Sequence, residues 1–339
     1  MVRAFKIFLF GILLSQVVLA QDVHLTQYYF SPLNYNPAAT GRFDGDYRIV
    51  GNYRSQWGAI MEDQFVTSAI SYEQVFNILG QKIAFGGVFL HDNSGLANLT
   101  QNKLQFSAGY TFDYKGHSIT TGIQTGLLQK GINFNSLTFP SQFDNVEGEF
   151  NNAIANGQNF PNTRDYSMDL NFGLIWGKQL TDKLRPEVGI SLMHINRPKE
   201  TFLADGSNRF KMRNIIDVQL VYSLNKKWDI VPTFLHMNQN RASEMLLGGL
   251  VKHNLEDNKY DLSQIFGGFS VRNGFNRNYD AVAFIVGGKF QEFQLGISYD
   301  VNVSPLSSLT HYQGAFELSL IYIAKRTSSI IYNLPCDRY

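Results

Sequence analysis

The chain has 339 residues, with 29 Lys and Arg against 28 Asp and Glu, a net charge of +1 that offers no electrostatic footprint for nucleic acid. Only 17% of residues are charged, while 27 Phe, 17 Tyr and 29 Gly crowd the sequence. Helices with one charged face, which a soluble enzyme of this length would show, are not recognisable. The lone cysteine, Cys336, excludes an intramolecular disulfide framework and is open to pairing between molecules.

In chain order, residues 1–20 come first. Arg3 and Lys6 precede an uncharged apolar run from Ile7 to Val18, and Val18-Leu19-Ala20 has the residue sizes a signal peptidase reads. The run is shorter than the roughly 18 to 20 residues a spanning helix needs, so a cleavable secretion signal is expected, with the mature chain starting near Gln21. No cysteine follows Ala20, so a lipid-modified amino terminus is not expected.

Residues 21–45, containing "DVHLTQYYFSPLNYNPAATG", follow neither helical nor strand periodicity. Pro32 and Pro37 hold Ser31 and Asn36 out of helical geometry, so an extended and turned segment is expected. Tyr28, Tyr29, Phe30, Leu33 and Tyr35 are too apolar to stay solvated. Irregular backbone cannot face lipid, which leaves three places: the lumen of a barrel, its periplasmic rim, or a partner.

From residue 46 onward the signal is period-two alternation. Leu104, Phe106, Ala108, Tyr110 and Phe112 share one face against Lys103, Gln105, Ser107, Gly109 and Thr111. Tyr166, Met168, Leu170, Phe172, Leu174 and Trp176 oppose Ser167, Asp169, Asn171, Gly173 and Gly177, with Ile175 as an exception. Phe293, Leu295, Ile297, Tyr299 and Val301 oppose Gln294, Gly296, Ser298, Asp300 and Asn302. These runs exceed the about five or six residues of a usual strand. Strands are predicted over 46–56, 64–75, 82–91, 100–112, 118–130, 166–178, 184–195, 211–223, 228–237, 244–253, 259–271, 280–289, 293–302 and 313–324, an even number.

The connections alternate in length. "NILGQ", "DYKGH", "KQLTDK", "LNKK", "HNLEDNK" and "FQE" are short, and those between them are mostly longer, 238–243 excepted. This predicts an all-β protein: a transmembrane antiparallel β-barrel of about 14 strands over 46–324, with short periplasmic turns, long extracellular loops and a periplasmic tail at 325–339. The apolar face would meet outer-membrane lipid, and the face of Gly, Ser, Gln and Asn the lumen. Tyr53, Trp57, Trp176, Trp228, Tyr299 and Tyr322, near strand ends, suit interfacial girdles.

Arg54 is in phase with Arg48, Asn52 and Gln56 on the lumenal side, where Asp300 or Glu317 on the last strands can pair with it across the closure. In lipid an Arg would cost roughly 2 to 4 kcal/mol. A structural pair at the seam is favoured over a transport role. The loop at 131–165 holds Asp144, Glu147, Glu149 and Asp165 without a recognised calcium-ligand spacing, and its length suggests a contact surface or a constriction. The seven His lack metal spacing, and no nucleophile elbow, phosphate loop or paired-carboxylate site stands out. No enzyme, cofactor or metal is expected.

Several motifs in order carry a family resemblance. Thr26-Gln27-Tyr28, the turn Asn36-Pro37-Ala38 with Gly41, and the strand with Tyr53, Arg54, Gln56 and Trp57 resemble the N-terminal signature of the PorP/SprF family, type IX secretion outer-membrane proteins of Bacteroidota. Tyr299, Asp300, Asn302 and Ser304, then Gly314 and Glu317, then the tail at Cys336 resemble its closing strands and tail. Asp337 and Tyr339 depart from the family's usual Pro and Phe, and Thr26 from its Ser. The resemblance implies a Gram-negative outer-membrane barrel that exports or anchors surface proteins, gliding adhesins among them, carrying type IX C-terminal signal domains. It also implies contact with the periplasmic secretion ring or peptidoglycan-associated components. The alternative is a channel for small solutes.

Overall fold

A computed structural model describes residues 22–324, apart from 57, 59–63, 79, 96–98, 134–136, 152, 156–162, 202–207, 256–260, 275–278 and 306. The strands are β1 (Tyr47–Gln56), β2 (Phe65–Ile78), β3 (Gln81–Ser94), β4 (Leu99–Tyr114), β5 (His117–Gly131), β6 (Phe143–Asp144), β7 (Glu149–Phe150), β8 (Arg164–Lys178), β9 (Leu184–Met193), β10 (Arg213–Ser223), β11 (Trp228–Gln239), β12 (Ala242–Asn254), β13 (Leu262–Asn273), β14 (Tyr279–Phe290), β15 (Phe293–Asn302) and β16 (Gln313–Ile323). All but β6 and β7 form one closed antiparallel barrel in which each strand pairs with its sequence neighbours and β1 closes on β16. Every predicted strand has its counterpart. β6 and β7 make a small hairpin inside the 132–163 loop, where Phe143 and Phe150 meet edge to face at 5.2 Å.

Closure satisfies every ladder, which a spanning sheet in lipid requires. The alternation sorts as expected. On β4, Leu104, Phe106, Tyr110 and Phe112 face outward and Lys103, Gln105, Ser107 and Thr111 are buried inside. At a tilt near 40°, ten residues rise roughly 25 Å, the height of the apolar band in such barrels. Tyr47, Tyr72, Tyr322 and Phe293 cluster at the end where β1 starts, with centroids 4.9 to 5.9 Å apart, and Trp228 stacks on His253 at that same end. Trp176 also lies there, donating to His117 Nδ1 at 3.0 Å, while Tyr53 and Tyr299 face outward on the opposite half. The turns at this end include Lys115-Gly116 and Gln291-Glu292, whereas the other end carries the 132–163, 194–212 and 303–312 connections. The exception anticipated at 238–243 is a tight turn at Asn240-Arg241, with Asn240 at φ +58°.

The interior is not simply polar. Toward the short-turn end Val50, Val231, Leu250, Phe266, Ile285 and Ile321 point inward around Phe30. Ile175, which breaks the β8 pattern, packs against Ala38 and Ala39. Both departures have one cause: residues 22–41 fill the lumen, and the wall turns apolar where that segment is apolar. Of the places open to this segment, the structure selects the lumen.

Candidate functional site

The lumenal segment, here called the strap, runs opposite to β1. Asp22 lies near the long-loop end, beside Gln239 at the end of β11 and Arg213 at the start of β10, whereas Gly41 reaches the short-turn end beside Val75 and Ala84. The strap begins at the far mouth and descends through the barrel. Its backbone turns three times, in 3-10 turns at Tyr28–Phe30, Pro32–Asn34 and Pro37–Ala39. Ser31 and Asn36, before the prolines, have φ of −137° and −148°, as proline sterics require. The Asn36 side chain accepts from Ala38 N at 3.0 Å and caps the last turn.

Three layers hold the strap. Outermost is a charged latch at Asp22. Its carboxylate accepts from Gln101 at 3.2 Å and Arg213 at 3.3 Å, pairs with Lys103, and meets His194 Nε2 at 3.2 Å; His194 Nδ1 lies 2.8 Å from Asp169. Burial opposes the charge on Asp22, but Lys103, His194 and Arg213 outweigh it and hold the carboxyl well below its ordinary value. Burial likewise opposes charge on His194, and its bonds to Asp169 and Asp22 reverse the balance and raise it. Burial, reinforced by Arg272, Arg54 and Arg213, pushes His24 well below the usual imidazole value.

The middle layer is the barrel seam. Arg54 and Glu317 are directly opposite across the β1–β16 ladder and form an ion pair. Arg54 also reaches Asp300 at 3.3 Å and donates to Gln56 Oε1 at 2.9 Å, and Arg272 meets Asp300 at 2.9 Å. Asp300 and Glu317 were the alternative partners expected for Arg54, and it contacts both, itself only 2% exposed. Its role extends beyond the seam, because the strap completes the set. Glu317 accepts two successive backbone N–H groups, Thr26 at 2.6 Å and Gln27 at 2.9 Å, while the Thr26 hydroxyl donates to Asp300 at 3.0 Å. Gln27 donates to Ser298 at 3.0 Å and packs on Gly296. Charges of both signs are thus matched inside, as buried ions must be.

The innermost layer is apolar and glycine-lined. Tyr28 and Tyr35 pack with Leu25, Met193, Ile215 and Leu235, and Leu33 is 1% exposed. Beneath the Asn36–Thr40 turn, Gly109, Gly122 and Gly173 are successive cross-strand partners on β4, β5 and β8. A Cβ on Gly109 would stand 2.5 Å from Thr40 O, one on Gly173 2.8 Å from Ala38 N, and one on Gly122 would overlap the Pro37 carbonyl. Bare backbone in three neighbouring strands makes the floor on which the Asn-Pro-Ala turn lies. Gly41, at φ +77°, would carry its Cβ into Ala84, and its N–H is accepted by Glu73 at 3.0 Å, itself paired with Arg48 at 2.7 Å.

The other motif residues divide. Asn302 accepts from Ser304 N at 2.9 Å and donates to Thr310 at 3.1 Å, shaping the 303–312 loop, and a Cβ on Gly314 would overlap the Asp300 carbonyl oxygen and stand 3.0 Å from Asp300 C. Tyr53 faces outward, away from the strap. Trp57, Cys336, the leader and the tail lie outside the described residues. Asp22, Lys103, Arg213, His194, Arg272 and the glycine floor were not singled out from sequence. The floor had a signal there: glycine in the inward phase of three consecutive strands.

A cavity of about 240 Å³ opens at the long-loop end, lined by Val23 and His24 of the strap with Arg54, Gln56, Thr67 and Lys130 among the wall residues. Residues 17–322 match the family of type IX secretion system membrane protein PorP/SprF. The chain belongs to this family. This PorP/SprF protein is an outer-membrane β-barrel of type IX secretion. No curated protein matches the chain at a significant level. Among solved structures, the monoaromatic hydrocarbon channel CymD is similar at 10% identity, with 91% of this chain and 95% of that one covered and a TM-score of 0.49. A Pseudomonas aeruginosa FadL homologue is similar at 11% identity, with 85% and 92% covered and a TM-score of 0.44.

Proposed function

We propose that this PorP/SprF barrel serves type IX secretion as a docking and anchoring protein: it binds exported cargo bearing C-terminal signal domains, together with periplasmic components of the secretion machinery, and performs no chemistry of its own. One observation carries the reading. The lumen is occupied by the protein's own strap, whose Leu25, Thr26, Gln27, Leu33 and Ala38 are at most 3% exposed. A barrel filled in this way offers partners its loops, its short-turn rim and the strap ends, and it leaves no open bore for a folded passenger. Cargo recognition then belongs to surfaces at the two mouths.

The test is a cross-linked pull-down from native outer membrane, paired with a deletion strain. Co-purification of surface proteins carrying the signal domain, and their release into the medium or retention in the periplasm when the barrel is deleted, is the expected result. Normal surface display in the deletion strain would defeat the reading. A robust ion-selective pore from the purified protein would instead favour a solute channel.

A further inference from the structure

We infer that the mature amino terminus of this barrel is displayed at the outer face, through the long-loop mouth, although β1 starts at the inner rim, and that the strap can seat only once the leader has been removed. The inference rests on residues 1–20 being a removed leader and on the long loops facing outward.

Chain direction carries the argument. The long-range polar partners of Asp22 are at the long-loop end: Gln101 and Lys103 near the start of β4, Arg213 as the first residue of β10, Gln239 as the last of β11, and His194 just past the end of β9. The next two residues, Val23 and His24, line the cavity at that mouth. By Thr26 the strap is level with the seam, and by Gly41 it has reached the opposite rim, where Asp46 N donates to Ala324 O beside the start of β1. The chain therefore spans the wall twice before its second strand, once as strap and once as β1. Residue 21 adjoins Asp22, so anything amino-terminal to it must emerge on the outer side.

That is incompatible with an attached leader. With the leader attached, the apolar Ile7–Val18 run would have to be threaded through the lumen and past the charged latch to reach the outer mouth. An uncut chain can still close its fourteen-strand ladder, because the described residues 22–45 supply no strand of it. Its strap cannot be drawn up to the latch, so Lys103 and Arg213 would lose the carboxylate that balances them. Leader removal is thereby coupled to lumen filling. It also leaves the start of the strap beside the outer cavity, where a partner at the cell surface can reach it and, through the continuous strap, act on the inner rim.

The test uses single cysteines in a Cys336→Ser background, labelled on intact cells with a charged maleimide that the bilayer excludes. Val146→Cys, in the outer loop, and Lys226→Cys, in a short turn, report orientation. The expected result is that Val23→Cys behaves like Val146→Cys, its labelling rising less than about twofold on permeabilisation, while that of Lys226→Cys rises at least about tenfold. An epitope inserted between Gln21 and Asp22 should be read by antibody on intact cells, which covers the case in which the cavity is too narrow for the reagent. Protection of both the Val23 cysteine and the epitope until permeabilisation, with Val146→Cys labelled throughout, overturns the inference alone. Protection of Val146→Cys with free labelling of Lys226→Cys overturns the orientation reading beneath it.

Discussion

Gly109→Ala tests the strap's seat directly. Its Cβ would stand 2.5 Å from Thr40 O, 3.1 Å from Thr40 Cβ and 3.4 Å from Thr40 C, all but one of them backbone that cannot rotate away. Reaching ordinary van der Waals contact requires the Asn36–Thr40 turn to lift by about 1 Å, and overpacking on this scale costs about 1 to 3 kcal/mol. The cost falls on the docked strap and not on the ladder, because β4 keeps its pairing with β3 and β5. Amide hydrogen exchange reads it: Ala38, Ala39 and Thr40 N–H groups are donated within the turn, and their exchange should accelerate by roughly 5- to 150-fold. Gly51→Ala is the control, since a Cβ there meets nothing within 4 Å. Exchange in Gly109→Ala within twofold of wild type, or equal acceleration in Gly51→Ala, would refute a seat made of bare backbone.

Removing Arg54 as Arg54→Ala should lower stability by about 3 to 5 kcal/mol, because it leaves Asp300 and Glu317 buried and undercompensated. Glu317→Gln in the same chain should restore part of this in thermal unfolding, and strictly additive losses would count against a shared network. Leu33→Ala should loosen the strap by about 2 to 5 kcal/mol, seen as faster exchange at residues 22–41 with unchanged heat-modifiable migration. Strap protection should peak near neutral pH. His194, raised, stabilises fully below its ordinary value and loses that contribution as pH rises through its higher folded value; His24, lowered, contributes only above its ordinary value and loses it as pH falls. His194→Gln should flatten the alkaline limb and His24→Gln the acid limb, and a profile unchanged by both would remove the latch from the account.

The barrel was legible because its physics is local and periodic. Alternation on β4, β8 and β15 assigns every face, and antiparallel closure of an even set puts the last strand beside the first, which brings Glu317 opposite Arg54. Lumenal apolar positions were less visible, since they appear as adjacent apolar pairs such as Ile49-Val50 and Ile265-Phe266, where one member faces lipid and the other meets Phe30. The strap's path was not legible. An aperiodic segment has no phase to register against the wall, and its outer end is fixed by contacts distant in sequence, as between Asp22 and Lys103, which are 81 apart. Strand limits shifted for a related reason: β2 to β5 and β8 extend toward the mouths as far as their neighbours pair, so that β3 reaches Ser94 and β5 Gly131.

Single-channel conductance of the purified protein, with and without residues 22–41, bears most directly on the central claim that the barrel is filled by its own strap. The intact protein should stay closed, and the deletion should conduct while keeping the heat-modifiable migration of a folded barrel. Equal conductance of the two proteins would contradict the claim.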